Sequence, residues 1–278
     1  MQWSVAMVNG DESLMRVNRL RELLESGKPT LGTRVLSSWP TVIELVGKSE
    51  SFDYVEFSAE YAPYDHRALE DMGRAIDLFP HLTGMIKVEQ ESRTHAAVRA
   101  IGAGFQSVLF ADIRTAADAE QCVRAVRSER PKSGGLHGVN LQRANLLEAG
   151  TEAWAESLDQ VVIVLMIEKV EAMQNLDAIL SVAGVDMVQF GPADYANSIG
   201  VTGQFHHPDV KSAEKILIEK ALEHDVAVRA ELVDSQGAEE YMKMNVQHFN
   251  IGFDVKTLFD WYCREGKAMK QYLGDRKG

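Results

Sequence analysis

The sequence predicts a single α/β domain over residues 1–278, a closed (β/α)8 TIM barrel with residues 1–15 as an N-terminal extension. Three observations predict it. Short apolar runs alternate with longer amphipathic ones along the chain, the rhythm of repeated β-α units. Several runs, VVIVLMI among them, are apolar at consecutive positions, which suits parallel strands buried on both faces. About eight such units fit this length, which favours a closed barrel over an open sheet.

Taken in order, the strands are predicted at 30–36, 54–58, 84–88, 106–111, 161–168, 187–191, 226–230 and 248–252. Between them, SRTHAAVRAIGAG places Ala96, Ala97, Ala100 and Ile101 on one helical face and ends in a glycine stop signal. VEAMQNLDAILSVAG does the same with Ala172, Leu176, Ile179 and Leu180, and predicts one helix over 170–184. The longest irregular stretch, 131–151, contains KSGGLHGVNLQRAN, and a loop of that length in a compact domain points to function. No Pro/Gly-rich linker, low-complexity tract or further repeat interrupts the rhythm.

Composition narrows the function classes. A formal charge of −12, from 29 basic and 41 acidic side chains, argues against nucleic acid or an anionic membrane as the main partner. It leaves room for a small anionic substrate in a locally positive pocket. Cys122 and Cys263 lie in helical segments far from any paired spacing, so neither zinc nor a disulfide is predicted. The opening MQWSVAMVNGDESLMRVNRL lacks the pattern of a secretory signal, and no apolar stretch approaches the roughly 20 residues of a membrane span. A cytoplasmic location is the default expectation.

Two places carry the chemistry. The apolar run 161–168 ends abruptly in Glu168, and MVQFGPAD ends its strand in Gly-Pro before Asp194. In a parallel barrel both strand ends lie on the rim where barrel active sites are built. Two carboxylates completed by water or substrate oxygens match the hard-oxygen demand of Mg²⁺ or Mn²⁺. Spacing alone equally allows Glu168 to cap the next helix and Asp194 to be a turn residue after proline.

Read together, IEKVEAMQNL, then GVDMVQFGPAD, then HHPDV resemble the metal-dependent HpcH/HpaI aldolase and citrate lyase family. LRELLESGKPTLGT resembles the family's first helix and strand, and EYAPYD its second-strand loop. RTAADAEQCVRAVR, HGVNLQRA and FNIGFDVKTL extend the likeness over nearly the whole chain. The resemblance implies a barrel of the phosphoenolpyruvate/pyruvate type in which Glu168 and Asp194 hold the divalent metal. It further implies that the Gly191–Pro192–Ala193 turn meets the carboxylate of a small keto acid such as pyruvate, whose enolate is the shared intermediate of aldol addition and cleavage. Arg143 matches an arginine of the family's long loop, which implies that it binds the substrate anion, with a subunit contact or a plain surface role as the alternatives. A homo-oligomer, a hexamer or trimer of dimers, is implied as well.

Two residues depart from the family pattern. Where the family carries Glu-His-Ala-Pro, with a histidine in proton transfer, this chain reads Glu60-Tyr61-Ala62-Pro63, and where it carries a third-strand arginine this chain has Lys87. A phenol titrates near 10 against roughly 6.5 for imidazole, so Tyr61 suits hydrogen-bond donation better than base catalysis. Lys87 keeps the charge but not the two-pronged guanidinium. A desolvated barrel lysine also invites a Schiff base, although a metal would make the imine redundant. The leading expectation is a metal-dependent carbon–carbon lyase with Tyr61 and Lys87 as its catalytic groups. The rivals are a decarboxylase, hydratase or condensing synthase on the same scaffold, or a non-catalytic keto-acid-binding protein.

Overall fold

The structure is a computed structural model in which residues 14–274 are described. Residues 1–13, most of the expected N-terminal extension, lie outside the described residues. Eight parallel strands, β1 (Thr30–Val35), β2 (Tyr54–Ser58), β3 (Thr83–Val88), β4 (Ser107–Ile113), β5 (Val162–Ile167), β6 (Met187–Phe190), β7 (Ala227–Leu232) and β8 (His248–Phe253), pair in sequence, and β8 closes on β1. All eight expected strands are present, within one or two residues at most ends.

The helices run α1 (Arg19–Glu25), α2 (Pro40–Lys48), α3 (His66–Asp77), α4 (Arg93–Ala103), α5 (Ala116–Val126), α6 (Glu152–Asp159), α7 (Val170–Gln174), α8 (Leu176–Leu180), α9 (Pro192–Ser198), α10 (Pro208–Glu223), α11 (Ala238–Lys243) and α12 (Asp254–Gly274). α4 ends as its sequence predicts, on Gly104 with φ of 115°, a left-handed position that favours glycine. The single helix expected over 170–184 is instead two short ones, α7 and α8. They break at Asn175, whose side chain donates to the Arg114 carbonyl (3.0 Å) and so draws the chain off its helical path.

Side chains alternate across each strand. On β5, Ile163, Leu165 and Ile167 join the cluster that packs against the helices, while Val162, Val164 and Met166 face inward with Tyr54, Met85, Leu109 and Met187. α1 covers the lower end of this apolar plug through Leu20, whose amide donates to Thr83 Oγ1 (3.0 Å). Gly32 is required here, because a Cβ would stand 2.1 Å from the Tyr54 ring. Above the plug the interior turns polar, with Glu56, Lys87, Gln189, Arg229 and Asn250 all buried. The fold therefore places its charges under the C-terminal ends of the strands.

α12, like the short α11, buries none of its residues, and over its 21 residues Leu258, Phe259, Trp261 and Tyr262 are exposed. Among the described residues no helix is long and apolar enough to cross a membrane.

Candidate active site at the barrel mouth

β5 and β6 are adjacent, with Ile167 opposite Phe190, so Glu168 and Gly191 leave the sheet side by side. Glu168 is almost wholly buried, and its Oε1 accepts from the Asp112 amide (2.8 Å). Asp112 makes that bond from a left-handed conformation, φ 54°, where β4 bulges beyond Phe110. A non-glycine residue held there costs on the order of 1 kcal/mol. Gly191 presses on Glu168 from the other side: a Cβ would come within 2.6 Å of both Cβ and Oε2 of Glu168. Only glycine fits.

Pro192 opens α9, which puts Asp194 in its first turn with the carboxylate half exposed. Glu168 does not cap the helix that follows, since Lys169 occupies the cap position. Burial holds the Glu168 carboxyl above the usual carboxylate range, and the nearby negative charge of Asp194 adds to this. Lys87, the Asp112 amide and Lys169 act in the opposite direction. Lys169 itself pairs with Asp194 Oδ1 at 2.7 Å.

The donor set fits a hard divalent cation. It is all oxygen, it carries two negative charges, and the elevated Glu168 is a buried carboxylate short of positive charge. Among the described residues no group of three or more His, Cys, Asp or Glu side chains could hold a metal. A cation here would rest on two carboxylates plus oxygens from substrate or water.

Lys87 reaches the same mouth from β3. Its ammonium pairs with Glu60 Oε2 (2.5 Å), donates to the Tyr61 hydroxyl (2.8 Å) and lies 4.5 Å from the Tyr61 ring centre. Desolvation alone would depress it, but the Tyr61 and Glu60 oxygens outweigh that and hold Lys87 above the usual lysine range. A protonated lysine is no Schiff-base nucleophile, and the ion pair with Glu60 suits Lys87 to the part of a cation beside a substrate oxygen. Burial likewise raises the Tyr61 phenol, despite the opposing Lys87 charge. Tyr61 is thus a neutral donor.

Asp65 caps α3 by accepting from the Ala68 amide (2.8 Å), and His66 meets Arg99 on the surface (3.1 Å). Neither supplies a base at the mouth. His207 caps α10 through the Asp209 amide (3.3 Å), in keeping with a helix-entry turn.

Arg143 is a correction. It donates to the Ala103 carbonyl (2.8 Å) and pairs with Asp77 at the C-terminal end of α3 (2.7 Å). The helices return antiparallel to the strands, so these groups lie at the end of the barrel opposite Glu168. Arg143 does not belong to the substrate site.

The sequence reading missed a second layer of the mouth. Arg229 on β7 is fully buried, with Nε donating to the Tyr54 hydroxyl (2.8 Å) and its other nitrogens bonded to Gln189 and Glu56. Gln189 passes on to Glu231 (2.9 Å), which pairs with Arg34 at 2.7 Å. The signal was present: YVEFS and AVRAEL each set a charge inside an apolar strand at an inward position of the period-two pattern.

Comparison with known proteins shows the family and the fold. The profile of the HpcH/HpaI aldolase/citrate lyase family matches residues 35–260. A hydroxypyruvate/pyruvate aldolase of Pseudomonas aeruginosa is 29% identical over 264 residues, 94% of either chain. A 4-hydroxy-2-oxo-heptane-1,7-dioate aldolase of Shigella boydii is 27% identical over 259 residues, 92% of this chain and 95% of its own. The crystal structure of an HpcH/HpaI aldolase/citrate lyase family protein from Burkholderia cenocepacia superposes with a TM-score of 0.81 at 26% identity. It covers 94% of this chain and 100% of the other.

Proposed function

Since the chain belongs to the HpcH/HpaI aldolase/citrate lyase family and is a carbon–carbon lyase of it, we propose that it works through the enolate of a small 2-keto acid, pyruvate or hydroxypyruvate, held at the barrel mouth. The observation that carries this reading is the closeness of Glu168 to the Gly191 turn, where a side chain on Gly191 would collide with the Glu168 carboxylate. Glu168 and Asp194 would hold Mg²⁺ or Mn²⁺, which when bound supplies Lewis-acid polarisation of the keto carbonyl.

The turn grips the carboxylate with fewer amides than its sequence suggests. The Gly191 amide is spent on the Ile167 carbonyl (3.1 Å), and Pro192 has no N–H. The first turn of α9 leaves the amides of Ala193 and Asp194 without helical partners, and these face the anion. Lys87 stays protonated and stabilises negative charge on the enolate oxygen. Tyr61 accepts from Lys87 and its hydroxyl also meets the Glu60 carboxylate, so its proton passes to the oxygen of the carbonyl partner from that contact. In the synthetic direction the keto acid's methyl carbon bonds to the partner's carbonyl carbon while that oxygen takes the phenol proton. In cleavage the proton returns. Glu60, joined to Tyr61 through Lys87, is the carboxylate of that cluster and takes the proton from the methyl group.

Charge supports an anionic substrate. Among the charged groups of the mouth, Arg34, Lys87, Lys169 and Arg229 each pair with a carboxylate, and these cations supply positive charge near which an anionic substrate can sit. Self-association into a homo-oligomer is supported by the exposed apolar residues of α12, and light scattering on the purified chain tests it.

The test of function is exchange of pyruvate methyl protons in D2O, followed by NMR after chelation and again after adding back Mg²⁺ or Mn²⁺. Exchange should stop with chelator and return with metal. Exchange that persists without metal rejects the assignment.

A further inference from the structure

Lys169 stands between the two carboxylates of the mouth. It follows Glu168 directly in the chain, and its ammonium pairs with Asp194 Oδ1 at 2.7 Å. The lysine side chain is only 19% exposed, against 46% for the aspartate, so the ammonium is held at the site and does not reach out into solvent. Its charge also reaches Glu168, whose carboxyl burial holds high and Lys169 pulls down.

The fold gives this pair no other task. Lys169 occupies the cap position of α7 without making a side-chain cap bond, and a cation there faces the positive end of the helix dipole. The two loops that the pair spans are already joined, by the Gly191 amide to the Ile167 carbonyl (3.1 Å) and by the Val170 amide to the Ser198 hydroxyl (3.1 Å). A partly exposed ion pair adds little to stability. What it does alter is the donor set. Asp194 offers two oxygens, and a tethered cation sits on one of them. A divalent ion that uses Asp194 must displace the ammonium or tolerate it alongside, and either costs affinity. An arriving carboxylate works the other way, because the amides of Ala193 and Asp194 and the Lys169 ammonium all attract it.

We infer that Lys169 is a tethered competitor for Asp194, which keeps divalent-metal affinity low until the carboxylate of the keto acid draws the ammonium away, so that metal and keto acid load together. The inference rests on the assignment of Glu168 and Asp194 as metal ligands and adds the residue that regulates them.

Dissociation constants for Mn²⁺, read by electron paramagnetic resonance on the full chain with and without pyruvate, test it in wild type, Lys169→Met and Lys169→Arg. Without pyruvate, Lys169→Met should bind Mn²⁺ about tenfold tighter than wild type, the scale of removing one neighbouring like charge. Lys169→Arg keeps the charge and should follow wild type. Pyruvate should tighten Mn²⁺ binding more in wild type than in Lys169→Met. Affinity that is unchanged or weaker in Lys169→Met, a Lys169→Arg chain that behaves like Lys169→Met, or equal tightening by pyruvate in wild type and Lys169→Met overturns the inference. Failure of both wild type and Lys169→Met to bind Mn²⁺ strikes the metal assignment itself, whereas wild-type binding that Lys169→Met leaves unchanged strikes the inference alone.

Discussion

The two ends of the barrel use the same residue types to opposite ends. At the lower end, arginines tie loops down. Arg21 grips both oxygens of Asp186 (2.6 and 2.7 Å) and the Val161 carbonyl, and Arg127 donates to the carbonyls of Leu158 and Val161. Asp186 also receives the Ile163 amide (2.8 Å). At the upper end the charges gather inside the barrel instead, where Arg229 and Glu56 are fully buried and Glu168 sits above its usual range. Satisfied charges hold a fold together, whereas buried charges short of a partner mark a place where a ligand completes the set. Substitutions at the upper end should therefore cut function, and those at the lower end should act on stability and leave the folded enzyme's activity alone.

The largest effect is expected from Glu168→Gln. Loss of one of the two carboxylates proposed to hold the metal should cut pyruvate exchange by about 10³-fold, several kcal/mol of lost Lewis-acid stabilisation. The thermal midpoint of the chelated protein should hold or rise, because a carboxylate with a raised folded pKa destabilises the fold once ionised. A lower midpoint would assign Glu168 to the fold instead.

The next effect concerns pH. Burial pushes His137 down to about 4, so the folded state binds fewer protons than the unfolded state between that value and about 6.5. The stability it confers is complete above pH 6.5 and is lost as pH falls toward 4, on the order of 3 kcal/mol. Denaturant titrations of His137→Gln across this window should show a flatter decline than wild type. An unchanged slope would contradict the burial argument.

Arg21→Met should cost about 2–3 kcal/mol by removing the two-pronged partner of a mostly buried Asp186, which keeps only the Ile163 amide and a longer contact to Arg127, with kcat/KM of the folded enzyme unchanged. A fall in kcat/KM at constant stability would break the division between the two ends. The smallest effect is expected from Arg143→Met, which should leave the KM for the keto acid within about twofold of wild type, as for a position at the far end of the barrel from the site. A tenfold rise would restore Arg143 to substrate binding.

Much of this was legible in the sequence, for reasons tied to particular residues. The strands showed because burial on both faces makes them apolar at every position, as in VIVLMI of β5. Glu168 and Asp194 showed because each interrupts such a strand end with a charge. Arg143 was misplaced because a loop of irregular chain carries no periodicity to tell which end of the barrel it lies against. The break at Asn175 was hidden because a side-chain bond to Arg114, 61 positions away, decides it. Glu56, Arg229 and Glu231 went unread because their meaning depends on pairing across the closed barrel. Lys169 beside Asp194 is a contact that strand order alone does not show.

The central claim is that one divalent ion rests on Glu168 and Asp194, and Mn²⁺ titration followed by electron paramagnetic resonance tests it most directly. One Mn²⁺ should bind per wild-type chain, and Glu168→Gln and Asp194→Asn should each lose it while remaining folded by circular dichroism. Undiminished binding in both variants, or no binding by a wild-type chain that still exchanges pyruvate protons in chelator, would contradict the account.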